Sequence, residues 1–294
     1  MKNQILASQI ALKRSQNNET ELQSALARFF KIIEEAIQRN LQEYWSDTML
    51  LQGQVDLILK PLVDGEDAYY QILEQYIKRE YKLGINEAKR LVELANGRQA
   101  HKAIPDRIQQ FYRKIVNIKA TRNNLFGTLD DAEEELLQRT FIASKRTLAR
   151  VTSDINQLLT TGYTEGKGIN VVASTITKRF QQLETWEAKR IARTEIHNAH
   201  NNAVMKTYEA LNVEYTQWIA ADDDRTRESH AEIDREIIRL GDTYSNGLAY
   251  PGDTSGDIEE WINCRCSNAP FVMPYGYTAP PQMQFFEEDL IPLK

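Results

Sequence analysis

Cysteine is almost absent from this chain: its 294 residues include two, Cys264 and Cys266, separated by one residue. A C-x-C pair is badly placed to bridge to itself and has no third cysteine to reach, so a disulfide framework is excluded and a reducing compartment is expected. Long apolar runs are missing too. No stretch approaches the ~20 apolar residues of a membrane-spanning helix. The region from Met1 to Gln16 carries Lys2, Lys13 and Arg14 and has no apolar core of signal-peptide length. Together these point to an intracellular protein without a membrane segment. A Gly-rich phosphate loop, H-E-x-x-H and G-x-S-x-G are also lacking, which removes the commonest nucleotide, metalloprotease and hydrolase signatures. There is no internal repeat.

Proline and glycine are scarce, 8 and 13 in all, and five of the prolines lie from Pro270 onward. What remains upstream is helical in pattern. Leu22, Leu26, Phe29, Phe30, Ile33, Ile37, Leu41 and Tyr44 recur at spacings of three and four, with Asn18 and Glu21 as a plausible N-cap pair. Pro61 and Asp64-Gly65 should break the pattern. Two helices should follow, one through Tyr69 to Ile77 and one from Asn86 to Asn96-Gly97. Pro105 suits the first turn of another, carried by Ile108, Phe111, Ile115 and Ile118. Leu129 to about Leu159 holds no Pro or Gly and should be the longest helix, closed by Thr161-Gly162 and Gly166-Lys167-Gly168.

Beyond it the pattern predicts a short helix from Asn170 to Phe180, a longer one from Thr185 to about Leu211, and a strand over Val213–Ala220. Short strands and turns follow, marked by Gly241-Asp242, Asn246-Gly247 and Pro251-Gly252. The tail, with Tyr275, Tyr277, Phe285 and Phe286 among its prolines, reads as extended backbone that docks on a partner. The fold class is therefore α+β: a mainly α-helical N-terminal region with long helices (1–162), a small α+β domain (163–270) and an extended tail (271–294).

Charge is unevenly spread. The net charge is −6, yet residues 1–180 balance at +4 and residues 181–294 at −10. Arg98, Lys102, Arg107, Arg113, Lys114, Lys119 and Arg122 face only Asp106, a run that fits phosphates, an acidic partner, or simply a solvated helix face.

Three polar blocks stand out near the C-terminus: Asp222-Asp223-Asp224-Arg225-Thr226-Arg227 with His230, then Pro251-Gly252-Asp253, then Asn263-Cys264-Arg265-Cys266. Asp224 is placed to cap a short helix on which Arg227, His230 and Asp234 would share a face. Cysteines two apart on a strand point the same way, so Cys264 and Cys266 could reach one zinc ion with His230 as a third donor and His197, His200, Asp253 or water as a fourth. Buried free thiols without a metal are the competing reading. His200 borders an apolar helix side. His197 lies on a polar side, where it could join a network to the C-terminal block.

With Ala192-Arg193-Thr194-Glu195 and Trp218 upstream, the order of these blocks resembles the Mu F-like family, the minor head (head morphogenesis) proteins of tailed phages. The resemblance covers about the last third of the chain. It implies a non-enzymatic virion component, partnered by portal, capsid or scaffolding proteins; the basic run from Arg98 to Arg122 adds double-stranded DNA as a further expected contact. It also implies structural roles for Arg193, Glu195, Asp224, Arg227, Asp253 and Asn263. Some proteins of that family carry a toxin or ADP-ribosyltransferase module after this domain; the 28 residues that follow Cys266 leave no room for one. The alternative is a metal-dependent nuclease or toxin-like enzyme working from His230, Cys264 and Cys266.

Overall fold

The computed structural model describes residues 2–46, 48–101, 122–221 and 223–293, with backbone alone at 2–14, 96–101 and 122–128. Among these, six helices come first: α1 (Lys2–Tyr44), α2 (Gln52–Asp64), α3 (Glu66–His101), α4 (Arg122–Thr164), α5 (Ile169–Gln182) and α6 (Ala188–Ala210). Then follow β1 (Tyr215–Ile219), α7 (Glu228–Glu232), β2 (Ile237–Arg239), α8 (Ile258–Trp261), β3 (Ser267–Phe271), β4 (Tyr277–Thr278), β5 (Gln284–Phe285) and β6 (Ile291–Pro292). This is the α+β class that the sequence predicts. No described helix is long and apolar enough to cross a membrane.

Several helix boundaries differ from the sequence reading. Asn18 caps nothing. It is buried inside α1, where its Nδ2 donates to the Tyr76 carbonyl at 3.2 Å. Pro61 does not end a helix either; α2 carries through it to Asp64 because Val55, Ile58, Leu59 and Leu62 are buried around it, which outweighs the lost N–H. The helices expected on either side of Asn86 are one, α3. Its Gly84 is needed for packing: a Cβ there would lie 2.6 Å from the His200 carbonyl oxygen and 2.8 Å from the Ala203 Cβ, so its absence lets α3 approach α6 closely. The helix expected from Pro105 lies outside the described residues.

The chain divides into two units. One comprises Asn18–Ile77 and Leu136–Arg193 and is helical. Its core takes Leu22, Leu26, Phe30, Ile37 and Leu41 from α1, Tyr69, Leu73 and Ile77 from α3, Val151, Ile155 and Leu159 from α4, and Ile176 and Phe180 from α5. A π-turn at Leu183–Glu187 joins α5 to α6 and turns Glu187 inward. Burial would push that carboxyl up, but hydrogen bonds from Arg179 and Arg150, each at 2.5 Å, hold it below its ordinary value.

The other unit comprises Met1–Asn17, Lys78–Glu135 and Thr194–Lys294. Its sheet is antiparallel in the order β3-β1-β2-β5, with Trp218 opposite Asn268 and Thr216 opposite Ile238. Trp218, Ile233, Ile238, Tyr244, Leu248, Cys264 and Cys266 form one buried cluster. The tail is extended, and it contributes β5 as the fourth strand: Phe285 is buried beside Tyr215, their ring centroids 5.8 Å apart.

Candidate functional site

Asn198, Asn201 and Asn202 sit three and four apart on α6. Asparagine is a poor helix former, so three of them on one face imply another use. Each binds the C-terminal loops. Asn198 Nδ2 donates to the Gly252 carbonyl, Asn202 Nδ2 to the Tyr250 hydroxyl at 3.0 Å. Asn201 Nδ2 lies 2.8 Å from the Pro251 oxygen, 3.2 Å from the Cys266 oxygen and 2.9 Å from His197 Nε2. The His197–Asn201 pair thus belongs to the network that the sequence suggested. One turn earlier, Thr194 Oγ1 accepts the backbone N–H of Asn263 at 3.2 Å, and Asn263 itself adopts φ 55°, a left-handed conformation that asparagine tolerates. Gly252 is left-handed too, at φ 87°, with its open side against His197 and Asn198. A polar helix face, buried rather than solvated, therefore gathers the Pro-Gly-Asp and Asn-Cys-Arg-Cys blocks.

The ionisable residues of these blocks hold backbone. Asp253 accepts from the N–H groups of Ala249 (3.1 Å) and Ser255 (2.9 Å), and from the Ser255 hydroxyl. Arg227 Nη2 donates to the Ile262 carbonyl at 2.5 Å. In the loop before α7, Asp223 rather than Asp224 is the organiser: it accepts the Arg225 N–H at 3.0 Å and pairs through both oxygens with Arg265. The Arg265 guanidinium holds its carboxyl well below the usual carboxylate range. Asp224 is exposed and caps nothing, since α7 begins after Arg227. Asp234 lies beyond α7 and accepts the Ala220 N–H at 2.9 Å, so the shared face expected for Arg227, His230 and Asp234 does not form. These expectations failed because α7 is only five residues long and starts three residues late.

His230, Cys264 and Cys266 do converge. All three are buried, and one ligand atom from each lies within 4.8 Å of the others. His230 Nδ1 is 3.4 Å from the Cys266 sulfur and 3.8 Å from the Cys264 sulfur. Its Nε2 is 2.8 Å from Glu260 Oε2, and Glu260 also accepts from Ser229 Oγ at 3.0 Å. The Trp218 ring packs edge-on against the imidazole, 5.1 Å between centroids. The Cys264 thiol, donating to Cys266, and the Ala221 N–H hold the Cys266 thiol below its ordinary value against its burial, while Cys264 is held up as the donor.

The other expected ligands are elsewhere. Asp253 is committed to its loop. Burial pushes the pKa of His197 down to about 3. His200 binds Glu80 through Nδ1 at 2.8 Å and Glu87 through Nε2 at 3.2 Å, and these two carboxylates overcome burial to raise it to about 10. Arg193, in the helical unit, pairs with Glu19 at 3.0 Å; Glu195 is half-buried on α6. Lys102, Arg107, Arg113, Lys114 and Lys119 lie outside the described residues, and for Arg98 and Arg122 only helical backbone is described. Glu260 and Asn198 are absent from the sequence reading, while Asp223 and Arg265 enter it only as members of their polar blocks. The 198/201/202 spacing was a signal that could have found the asparagines.

A small α+β domain whose dispersed polar motif is tied together from within is the class this geometry defines. Residues 153–269 match the family model described as Phage Mu protein F like protein, a stretch that includes the gathered motif blocks. Two relatives bear on it. The minor head protein GP7 of Bacillus phage SPP1 is 28% identical over 130 residues, 42% of this chain and 42% of that protein. The NAD(+)--arginine ADP-ribosyltransferase EFV of Enterococcus faecalis (strain ATCC 700802 / V583) is 28% identical over 126 residues, 40% of this chain and 26% of that protein. The chain therefore spans about two fifths of the first and about a quarter of the second. No solved structure matches it.

Proposed function

We propose that this chain is a minor head protein of a tailed phage: a non-enzymatic component of the virion that joins the assembling head beside the portal and capsid or scaffolding proteins. The observation that carries the reading is the Mu F-like match over residues 153–269, which includes the gathered motif blocks. The geometry supports it, because Asp223, Arg227, Asp253 and Asn263 are engaged in holding loops to α6 and to one another. Quantitative mass spectrometry of purified heads made by the encoding phage should find the chain at a low, fixed ratio to the major capsid protein. Its absence from procapsids and mature heads alike would sink the reading.

Contact with double-stranded DNA during packaging or ejection is the finer part of this proposal, supported by the basic run from Arg98 to Arg122. Replacing Lys102, Arg107, Arg113, Lys114 and Lys119 with glutamine should weaken binding and flatten its salt dependence. Unchanged binding at every salt concentration would locate the contact elsewhere, if there is one. The likeness to an arginine ADP-ribosyltransferase favours a second reading, a toxin-like enzyme. NAD+ turnover by the purified chain would establish it in place of the first.

A further inference from the structure

We infer that His230, Cys264 and Cys266 hold a zinc ion, with Glu260 fixing the imidazole from behind. In a tetrahedral zinc centre with Zn–S near ~2.3 Å and Zn–N near ~2.1 Å, the sulfur-to-nitrogen edge comes to about 3.6 Å. The two edges here, 3.4 and 3.8 Å, straddle that value. One nitrogen thus faces both sulfurs at ligand-to-ligand spacing.

The direction of the imidazole adds a second argument. A carboxylate only accepts, so Glu260 at 2.8 Å places the ring proton on Nε2 and leaves the Nδ1 lone pair directed at the two sulfurs. A carboxylate behind the ligating histidine is the usual support of a zinc-bound imidazole. A single thiol S–H could use that lone pair; two thiols flanking it at similar distances suit a shared ion better.

Charge is consistent with burial. Two thiolates neutralise Zn2+, so a buried site of this composition leaves no net charge in the cluster around Trp218. Water is the fourth ligand that keeps it neutral. The site's function would be cohesion: it ties α7 to the segment before β3, adding to the Arg227–Ile262, Ser229–Glu260 and Asp223–Arg265 bonds that already join those regions. This inference does not depend on the head-protein reading, since it concerns what holds the domain together whichever partner it serves.

The test is metal analysis of the full chain purified under reducing conditions from zinc-supplemented cells. About one zinc per chain is expected, as for a structural centre. Cys264→Ser and Cys266→Ser should each abolish retention, and Glu260→Gln should keep the ion with affinity lowered about 10- to 100-fold. As a readout independent of whether the serine variants fold, cobalt substitution of the unaltered chain is expected to give a thiolate-to-cobalt charge-transfer band with tetrahedral d–d absorption. A folded, reduced chain that takes up neither ion, or whose affinity for zinc is unchanged in a Cys264→Ser/Cys266→Ser double variant, would overturn the inference. So would a Cys264–Cys266 disulfide in the freshly purified protein.

Discussion

His200→Gln is expected to lower the unfolding free energy by about 3–5 kcal/mol, the usual consequence of removing one partner from a buried ion pair. Both imidazole nitrogens donate to carboxylates, Glu80 at 2.8 Å and Glu87 at 3.2 Å, so the ring is an imidazolium in the fold. Glu80 is fully buried, and glutamine would take its imidazolium partner away. The same pair sets a pH dependence. The folded pKa of His200, about 10, lies above the unfolded value near 6.5. Its contribution is therefore complete below the unfolded value and is lost as pH rises through the folded one. Denaturant titrations between pH 6 and 10 should show stability falling with a slope of up to about 1.4 kcal/mol per pH unit from this group, and His200→Gln should remove that slope. An equal slope in wild type and variant would show that His200 is not the responsible group.

Asn201→Ala should cost on the order of 2–6 kcal/mol, because the buried carbonyls of Pro251 and Cys266 both lose the Asn201 donor, at roughly 1–3 kcal/mol each. The damage should be local as well as global. Proteolysis near Tyr250–Ser255 should quicken before the helical unit is affected, since the Pro-Gly-Asp turn is held to α6 through Asn198, Asn201 and Asn202. Asn201→Asp, which accepts but does not donate, should be at least as harmful as alanine. A variant that melts like wild type, with an equally resistant loop, would contradict the role given to this face of α6.

Much of this was legible in the sequence, for reasons that residues make plain. The i, i+3, i+4 repeats of α1 and the Gly-free run of α4 fixed those helices, and Tyr215–Ile219 emerged where the apolar period changed. Punctuation was misread where burial overrode it. Pro61 and Asn18 lie inside helices because buried neighbours and a side-chain-to-carbonyl bond repay the local cost. In the site, His230, Cys264 and Cys266 were found together because their chemistry is rare in this chain. Asp224 was chosen over Asp223 because helix caps are set by where α7 starts, which short-range pattern places only to within a few residues. Glu260 escaped notice because a glutamate in an acidic loop carries no signal until His230 is seen beside it. The asparagine face of α6 was visible as residues but not as a buried surface, since nothing local tells a polar stripe that a loop will cover it.

The measurement closest to the central claim is co-expression with the portal protein of the same phage, with purification through a tag on the portal. Recovery of this chain in a fixed ratio to portal, lost when the aromatic tail beyond Phe271 or the N-terminal helices are removed, is the predicted result. A chain that is folded, abundant and wholly absent from the portal fraction, with capsid and scaffolding proteins supplied as well, would contradict the proposed place of this protein in the head.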